Sequence, residues 1–161
     1  LRLKKDSLFK TLKKFKGLKY RQEIIFQSSN LTIINDSKAT TFSSSVSLLM
    51  SLTDVCWIVG GQAKKGDMFL LSKKNCKNFK AYIFGNNKVF FINKLKKKMK
   101  YESFLDLKSL VKKLFLDIKT EKKTRHKTVL FSPSAASFDS FKNFEERGKY
   151  FNQLIKKYIN V

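Results

Sequence analysis

The chain has 161 residues, of which 42% are hydrophobic and 14% aromatic, a composition that indicates one folded domain and excludes a disordered segment. No apolar run reaches the roughly 18 residues that cross a bilayer, and the N-terminus lacks the apolar core of a signal peptide, so we expect a cytoplasmic protein without membrane contact. The formal charge of +23 comes mostly from scattered lysines, with only four arginines among 35 basic residues. Specific recognition of nucleic acid favours the forked guanidinium group of arginine, so we expect the charge to reflect composition rather than a nucleic-acid partner.

The first part of the chain predicts a helix, a hairpin and a helix–strand pair. Residues 3–15 place apolar side chains at helical spacing opposite lysines, and Gly17 ends this amphipathic helix. The runs QEIIFQS and LTIIND are rich in β-formers and flank a predicted hairpin turn at residues 29–30. SKATTFSSSVSLLMSL indicates a polar loop that enters a helix, and DVCWIVGG indicates a buried strand closed by two glycines.

The middle of the chain gives weaker patterns. A weak helix is predicted near residues 68–74. The apolar runs KAYIFG and KVFFI are predicted as two strands on either side of a turn at residues 86–87. Residues 94–100 are rich in lysine and are predicted to form a short charged loop.

The last part predicts a helix, a strand and a second helix. Seven apolar residues between positions 104 and 118 follow three-four spacing, and KTVLFS is a predicted buried strand. Helical spacing returns at residues 151–159, and Asn143 with Glu146 resembles a capping box near the start of that helix. Because strands alternate with helices, we expect an α/β domain with a doubly wound, mostly parallel sheet flanked by helices.

Three loops rich in small residues, hydroxyls and lysines follow predicted strands. They are NDSKAT after LTII, GGQAKKGD after VCWIV, and SPSAASFDSFKN after TVLF. Ligands of parallel sheets bind beyond the carboxyl ends of the strands, where such loops meet. Small residues let backbone N–H groups approach an anion, and helix N-termini favour negative charge. The three loops together therefore predict an anion-binding site at one edge of the sheet.

Two of these loops also have purely structural interpretations. In the first loop, Asp36 or Ser37 would cap a helix and leave Lys38 in solvent, or the same residues would bind the ribose and phosphate of a nucleotide. The second loop lacks the residue order of a Walker A motif. It would be a tight strand-to-helix turn, or it would hold a carboxylate with Lys64 or Lys65.

The serines of the third loop precede Asp139 but do not indicate a catalytic triad. The only histidine, His126, precedes the strand and is predicted to be exposed, and no GxSxG elbow is present. Hydroxyls that bind a ligand are the better interpretation. Cys56 and Cys76 lack the second pair that a zinc site or disulfide framework needs, and Cys56 is expected to be a buried free thiol. We expect no metal site.

The motifs IINDSKATT, GGQAKKGD and LFSPSAASFDSFKNFEERG, in this order and spacing, resemble the C-terminal domain of the Mur ligase family, in its branch that adds D-glutamate. FKGLKYRQE resembles the junction between the family's central ATP-binding domain and this domain. The resemblance implies a Rossmann-like fold. It also implies that residues 1–16 are the last helix of the central domain with its linker, and that residues 17–161 are the D-glutamate-binding domain.

The resemblance further implies an ATP-driven amide ligation in peptidoglycan synthesis. In the family, ATP phosphorylates the carboxylate of UDP-N-acetylmuramoyl-L-alanine, and the amine of D-glutamate attacks the acyl phosphate. ATP and Mg²⁺ would be held mainly by the central domain, so we expect the 161 residues to be an inactive piece of a larger, monomeric ligase that begins before Leu1. The alternative is a stand-alone basic α/β module that binds nucleic acid or other polyanions.

Seven residues receive implied roles from their motif positions. Four would bind the carboxylates of D-glutamate, the last of them through its backbone: Thr40, Lys64, Ser137 and Phe144. Three would serve the phosphate and the nucleotide: Lys38 at the acyl phosphate as the catalytic residue, Asp36 at the ATP ribose, and Arg21 at the nucleotide.

Three positions depart from the family's pattern. Tyr20 stands where the family usually has histidine, and Thr41 stands where asparagine often follows DSKAT. The residue before Lys64 is not the aspartate that many members have, so Lys65 is the alternative glutamate-binding lysine.

Overall fold

A computed structural model describes residues 9–10, 17–120 and 125–159 of the chain. From residue 17 onward, the described ranges form six strands and four helices. The strands are β1 (Glu23–Gln27), β2 (Leu31–Asn35), β3 (Val55–Gly60), β4 (Phe79–Phe84), β5 (Lys100–Ser103) and β6 (Lys127–Phe131). The helices are α1 (Phe42–Met50), α2 (Lys88–Leu95), α3 (Leu107–Thr120) and α4 (Phe144–Tyr158).

The six strands form one sheet in the order β1-β2-β6-β3-β4-β5. β1 pairs antiparallel with β2 across the predicted hairpin, and every other neighbouring pair is parallel. The predicted α/β class with a mostly parallel sheet is therefore confirmed. All six residues of β3 are buried, as expected for a central strand that is covered on both faces.

Helices cover both faces of the sheet, which is the doubly wound arrangement. On one face, α1 and α2 pack on Trp57 of β3: the ring of Phe42 lies 6.2 Å from that of Trp57 and 5.7 Å from that of Phe91. On the other face, α3 packs on β4 and beside α4, and Phe151 of α4 stacks on Phe131 of β6 with 4.2 Å between ring centroids. None of the helices in the described ranges is long and apolar enough to cross a membrane.

The segment KVFFI is helical, and the prediction of a strand there is wrong. It begins α2, in which Phe91 and Leu95, four residues apart, are fully buried. β4 pairs in parallel with β5, and parallel neighbours need a crossover rather than a hairpin turn at residues 86–87. α2 is that crossover. Within residues 94–100, predicted as a charged loop, residues 96–99 form the turn between α2 and β5, whereas residues 94–95 end α2 and residue 100 begins β5.

The weak helix predicted near residues 68–74 is also wrong. Phe69 and Leu71 are buried whereas Leu70 between them is 76% exposed, an alternation that belongs to extended chain. The ammonium group of Lys98 donates to the carbonyls of Phe69 at 2.7 Å and Leu71 at 2.8 Å. A side chain therefore satisfies the acceptors that helical amides would otherwise bond.

The first predicted helix, over residues 3–15, lies outside the described residues except for residues 9–10, which are helical. At the start of α4, Oδ1 of Asn143 accepts from the amide of Glu146 at 2.8 Å, as the predicted capping box requires. The carboxylate of Glu146 accepts a hydrogen bond from the amide of Lys142 at 2.7 Å rather than from that of Asn143.

The two outer strands of the sheet, β1 and β5, are short or irregular. β5 has four residues, and its Lys100 and Glu102 are charged. Glu102 forms a 2.6 Å ion pair with Lys80 of the neighbouring β4. At the other edge, the pairing of β1 with β2 shifts register between Ile24 and Phe26, so that β1 is bulged rather than flat.

Candidate functional site

The three loops singled out above lie side by side. β2, β6 and β3 are neighbours in the sheet and run parallel, so their carboxyl ends share one edge, as predicted. Backbone hydrogen bonds join the second loop to the third: the amide of Gly60 donates to Pro133 at 3.0 Å, and Gln62 and Ala136 exchange two bonds of 2.9 and 3.1 Å. The loops therefore form one connected surface.

The two glycines that end β3 are required by this close approach. A Cβ atom on Gly60 would lie 2.2 Å from the carbonyl oxygen of Phe84, and one on Gly61 would lie 2.6 Å from that of Ala136. Their φ angles of 146° and 125° also fall where side chains are strained. These glycines thus have a structural reason to be present that is independent of any ligand.

A cavity of about 560 Å³ opens beside the first loop. Its lining includes four of the seven residues predicted to form the site: Arg21, Asp36, Lys38 and Thr40. Arg21 reaches it from the segment that precedes β1, and the other three come from the loop after β2. The lining does not include the other three predicted residues, which are Lys64, Ser137 and Phe144.

The carboxylate of Asp36 links three parts of the site. Oδ1 accepts from the backbone amide of Gln22 at 3.2 Å, and Oδ2 accepts from the hydroxyl of Ser132 in the third loop at 2.8 Å. Burial raises the pKa of Asp36, while the bonds from Ser132 and Gln22 and the charge of Arg21 act in the opposite direction. Each oxygen keeps a lone pair that a ligand hydroxyl could use.

Lys38 is half-buried and held in place on two sides. Its backbone amide donates to the carbonyl of Tyr20 at 3.0 Å. Its ammonium group lies 3.8 Å from the centroid of the Phe144 ring, which is a cation–π contact. The expectation that Lys38 extends freely into solvent if the first loop is only a helix cap is therefore wrong, and the contact brings Lys38 and Phe144 together across two loops.

Helix α1 is capped by Thr41 rather than by Asp36 or Ser37. The hydroxyl of Thr41 accepts from the third amide of the helix at 3.3 Å. A carboxylate oxygen of Asp67 in the second loop accepts from the first helical amide, that of Phe42, at 2.8 Å. Threonine at this position retains the side-chain acceptor that asparagine would provide.

Lys64 and Lys65 are both exposed, and neither forms an ion pair with a carboxylate in the described ranges. They lie in a turn closed by a 3.1 Å bond from the amide of Asp67 to the carbonyl of Lys64. No helix follows this turn, so the predicted strand-to-helix turn is wrong in its second half. Both ammonium groups are available to an external anion.

Ser137 and Phe144 occupy the two ends of the third loop. Ser137 is 3% exposed, and its hydroxyl makes no hydrogen bond within the part of the chain that the structure describes. Phe144 is the first residue of α4, and its carbonyl accepts from the hydroxyl of Ser37 at 2.8 Å. Its amide belongs to the first turn of α4, where backbone N–H groups lack helical partners.

Two other serines of this loop, Ser132 and Ser134, bond to a serine of α1. The hydroxyl of Ser45 in α1 lies 2.6 Å from that of Ser132 and 2.7 Å from that of Ser134. All three are buried, so they join α1 to the third loop and are not poised as nucleophiles. His126 lies beyond the opposite end of β6 and bonds to Thr32 at 2.9 Å, which leaves these serines without a histidine base.

The cysteines are free, buried thiols, as predicted for Cys56. Burial raises the pKa of Cys56 to about 11, and a thiol of that pKa is not a nucleophile at neutral pH. The described side chains include no group of three or more histidine, cysteine, aspartate and glutamate residues that could hold a metal ion.

Arg147 is a buried cation at the site that the sequence patterns did not reveal. Its Nε and Nη2 donate to the hydroxyl and carbonyl of Ser37 at 3.1 and 2.7 Å, and its Nη1 donates to the carbonyl of Ala135 at 2.9 Å. Burial lowers its pKa to about 10, and the charge of Asp139 acts against this. A signal was present: Arg147 lies four residues before Phe151 on the apolar stripe of α4, where a solvated side chain has no place.

A second, larger cavity lies at the opposite edge of the sheet. It has a volume of about 1140 Å³ and is lined by nine lysines and two carboxylates, Asp54 and Glu102. β3, β4 and β5 begin there, and the cavity contains no residue of the three loops. We place the candidate site at the smaller cavity because ligands of parallel sheets bind at the carboxyl ends of the strands.

Comparison with known proteins identifies relatives along nearly the whole chain, although no protein-family model matches it. Three enzymes named UDP-N-acetylmuramoylalanine–D-glutamate ligase illustrate the similarity. The chain is 35% identical to that of Wolbachia sp. subsp. Brugia malayi (strain TRS) over 98% of its length, 36% identical to that of Francisella philomiragia over 89%, and 37% identical to that of Prochlorococcus marinus (strain MIT 9312) over 94%.

The chain spans only about a third of each relative, namely 31%, 34% and 33% of their lengths. The matched part is the C-terminal portion of the full-length ligases. The chain therefore belongs to the family of UDP-N-acetylmuramoylalanine–D-glutamate ligases and corresponds to their C-terminal portion.

Proposed function

We propose that the chain is the D-glutamate-binding domain of a cytoplasmic, ATP-dependent ligase that joins D-glutamate to UDP-N-acetylmuramoyl-L-alanine in peptidoglycan synthesis. The observation on which this rests is the cavity at which Arg21, Asp36, Lys38 and Thr40 meet. Two cations, a carboxylate and a hydroxyl that line one cavity fit a phosphorylated, hydroxyl-bearing ligand. Membership of the ligase family supplies the reaction, which proceeds through an acyl phosphate.

We assign residues 17–161 to this domain and residues 1–16 to the end of the preceding ATP-binding domain and its linker. Residues 20–22 support the boundary because their backbone bonds to the first loop at two points. The ring of Tyr20 also packs directly on α4: a Cβ atom on Gly148 would lie 2.4 Å from it. Tyrosine in the usual histidine position thus fixes the junction to the domain by packing.

Lys38 and Arg21 are the groups suited to the phosphate transfer. The ammonium group of Lys38 would stabilise the negative charge that develops on the transferred phosphoryl group and on the acyl phosphate. The Phe144 ring holds that ammonium in place. Asp36 would accept from the ribose of ATP, and Arg21 would bind the nucleotide. The described side chains include no cluster of three or more potential metal ligands, and we assign Mg²⁺, with most of the ATP site, to the preceding domain.

Four groups are suited to the carboxylates of D-glutamate. Lys64, or Lys65 in the alternative register, provides an unpaired ammonium group, and Thr40 provides a hydroxyl at the cavity. Ser137 provides a hydroxyl without a described partner, and Phe144 provides an amide at the positive end of a helix. These groups bind and orient, so that the amine of D-glutamate attacks the acyl phosphate without a protein nucleophile.

The experiment is a comparison of Lys64→Ala with Lys65→Ala in the full-length ligase that contains this domain. We expect Lys64→Ala to raise the KM for D-glutamate roughly 10- to 100-fold, the cost of a lost bond to a charged group, and to leave the KM for ATP nearly unchanged. Lys65→Ala should behave as the wild type. If only Lys65→Ala raises the KM for D-glutamate, Lys65 rather than Lys64 is the glutamate-binding lysine. If a variant raises the KM values for D-glutamate and ATP equally, the glutamate role of that lysine is rejected.

The lysine-lined cavity favours a second candidate, a stand-alone module that binds polyanions. Lysines bind phosphate as point charges, so such binding falls steeply with salt. Titration of the 161-residue chain with a fluorescent single-stranded oligonucleotide at about 50 and 200 mM salt tests this. Binding at about 50 mM salt that weakens steeply at about 200 mM and is lost in Lys96→Glu and Lys97→Glu would support the second candidate. Absence of binding at about 50 mM salt would exclude it.

A further inference from the structure

We propose that Arg147 is a positioning residue, which fixes the distance between the loop that contains Lys38 and the loop that contains Ser137. Through that distance it would set the spacing between the phosphate-transfer end and the carboxylate-binding end of the site. The inference rests on the proposed function of these two residues. It assigns a role to a side chain that is fully buried and does not line the cavity.

On the first loop, Arg147 bonds to Ser37, which lies between the cavity residues Asp36 and Lys38. Nε donates to the hydroxyl of Ser37 at 3.1 Å, and Nη2 donates to the carbonyl of the same residue at 2.7 Å. The hydroxyl of Ser37 in turn donates to the carbonyl of Phe144 at 2.8 Å. Because Ser37 stands between Asp36 and Lys38, these bonds hold the backbone from which both cavity side chains extend.

On the third loop, Arg147 bonds the residue two positions before Ser137. Nη1 donates to the carbonyl of Ala135 at 2.9 Å. The next residue, Ala136, is bonded in both directions to Gln62 of the second loop. The guanidinium group therefore connects the first loop to the other two, and it does so from a single rigid helix.

Only a planar, forked cation can make these bonds together. The guanidinium group has donors that point in fixed directions, and here they reach two loops at once. A lysine at position 147 would have one ammonium group at the end of a flexible stem. It could bond one loop or the other, but it would not fix the distance between them.

The burial of Arg147 argues against a purely stabilising role. The residue is fully buried, and no described carboxylate forms an ion pair with it. The charge of Asp139 favours the protonated form of Arg147 without an ion pair between them. One carboxylate oxygen of Asp139 is itself buried without a hydrogen-bond partner in the described ranges. Burying a cation among neutral acceptors costs free energy that an apolar side chain of similar volume would avoid. Geometry, rather than stability, is what the arginine contributes.

A separate bond keeps the bases of the same two loops together. The hydroxyl of Ser132 donates to Asp36 at 2.8 Å, next to the ends of β6 and β2. Arg147 bonds to the first loop at Ser37, one residue beyond Asp36. It bonds to the third loop at Ala135, three residues beyond Ser132. Replacing Arg147 should therefore leave the sheet and the loop bases joined while it frees the outer parts of the loops.

The test uses Arg147→Lys and Arg147→Met in the full-length ligase, with Arg125→Met as the matched control. Arg125 is exposed and precedes β6, at the edge of the sheet away from the site. For each protein, the KM of every substrate, kcat, the ratio of ADP released to amide formed, and the melting temperature are measured. Arg147→Lys keeps the positive charge, so it separates loss of the fork from loss of the charge.

We expect both Arg147 variants to fold and to raise the KM for D-glutamate roughly 10- to 100-fold, the penalty for a displacement of about 1 Å between reacting groups. Their ATP KM should be unchanged, and ADP should exceed amide because acyl phosphate that D-glutamate does not capture is hydrolysed by water to the carboxylate and phosphate. Arg125→Met should match the wild type. The inference is overturned if both Arg147 variants keep the wild-type KM for D-glutamate and release one ADP per amide formed. It is also overturned if neither variant folds, or if the loss of rate only follows the unfolded fraction. If the wild-type ligase does not consume D-glutamate, the proposed function itself fails and the inference fails with it.

Discussion

Replacing Gly61 by alanine should destabilise the chain more than replacing Gly66, although both glycines have positive φ angles of 125° and 79°. A Cβ atom on Gly61 would lie 2.6 Å from the carbonyl oxygen of Ala136 and 3.1 Å from Nη1 of Arg147, whereas one on Gly66 would have no atom within 4 Å. The first distance is well inside the contact distance of carbon and oxygen. Because that oxygen belongs to the backbone, the second and third loops must move apart.

The magnitude follows from two contributions. A side chain in the left-handed region costs about 1 to 2 kcal/mol, and both variants incur this cost. Overpacking against the backbone adds about 1 to 3 kcal/mol for Gly61→Ala alone. The free energy of unfolding should therefore fall by about 1 to 2 kcal/mol in Gly66→Ala and by about 2 to 5 kcal/mol in Gly61→Ala.

Urea denaturation of the 161-residue chain, followed by tryptophan fluorescence, measures this difference. Trp57 is the only tryptophan, is fully buried, and donates to the carbonyl of Ser132 in the third loop at 2.8 Å. Its emission therefore reports on the region that the substitution disturbs. Equal losses in the two variants would refute the reasoning, because they would show that the overlap with Ala136 is relieved at no cost.

Two further outcomes are expected. In the full-length ligase, Ser137→Ala should lose roughly 1 to 3 kcal/mol of D-glutamate binding, and unchanged KM and kcat would reject that assignment. Burial disfavours the ionised form of Asp117, but hydrogen bonds from Lys113, Lys80 and Tyr82 outweigh it and lower its pKa to about 2. The stability that ionised Asp117 provides is thus complete above about pH 4 and is lost as the pH falls toward 2. Asp117→Asn should flatten this acid limb in thermal unfolding curves, and an unaltered limb would contradict the ion-pair interpretation.

The architecture was predictable because its central strands are distinctive. VCWIV and VLF are continuous apolar runs, as strands covered on both faces must be, and each leads into a loop of small residues. Once such strands are parallel, their loops must share an edge. The position of the candidate site follows from that rule without any knowledge of side-chain contacts.

The failures arise where tertiary context overrides local propensity. Two phenylalanines and an isoleucine favour a strand in KVFFI, yet the parallel pairing of β4 with β5 requires a crossover, and Phe91 with Leu95 gives the helix its buried face. The apolar residues near position 70 resemble a weak helix. There Lys98, from a distant part of the chain, bonds the carbonyls and holds the segment extended.

Contacts within the site are the part that local patterns do not contain. Arg147 and Ser37 are 110 positions apart in the chain, and Lys38 meets the ring of Phe144 across a similar separation. Each pair belongs to motifs that are recognisable separately. Which atoms of those motifs meet depends on the order of the strands in the sheet, and so on the whole fold.

The edges of the sheet affect how the protein behaves in concentrated solution. An open strand edge offers unpaired backbone groups to another chain and can start aggregation. Here β1 is bulged, and β5 is short and begins with Lys100, beside the exposed Lys96 and Lys97. Two molecules that approach through β5 would bring like charges together. The lysine-rich composition thus acts as a barrier to edge-to-edge assembly, and because salt screens exposed charges, that barrier should weaken as ionic strength rises.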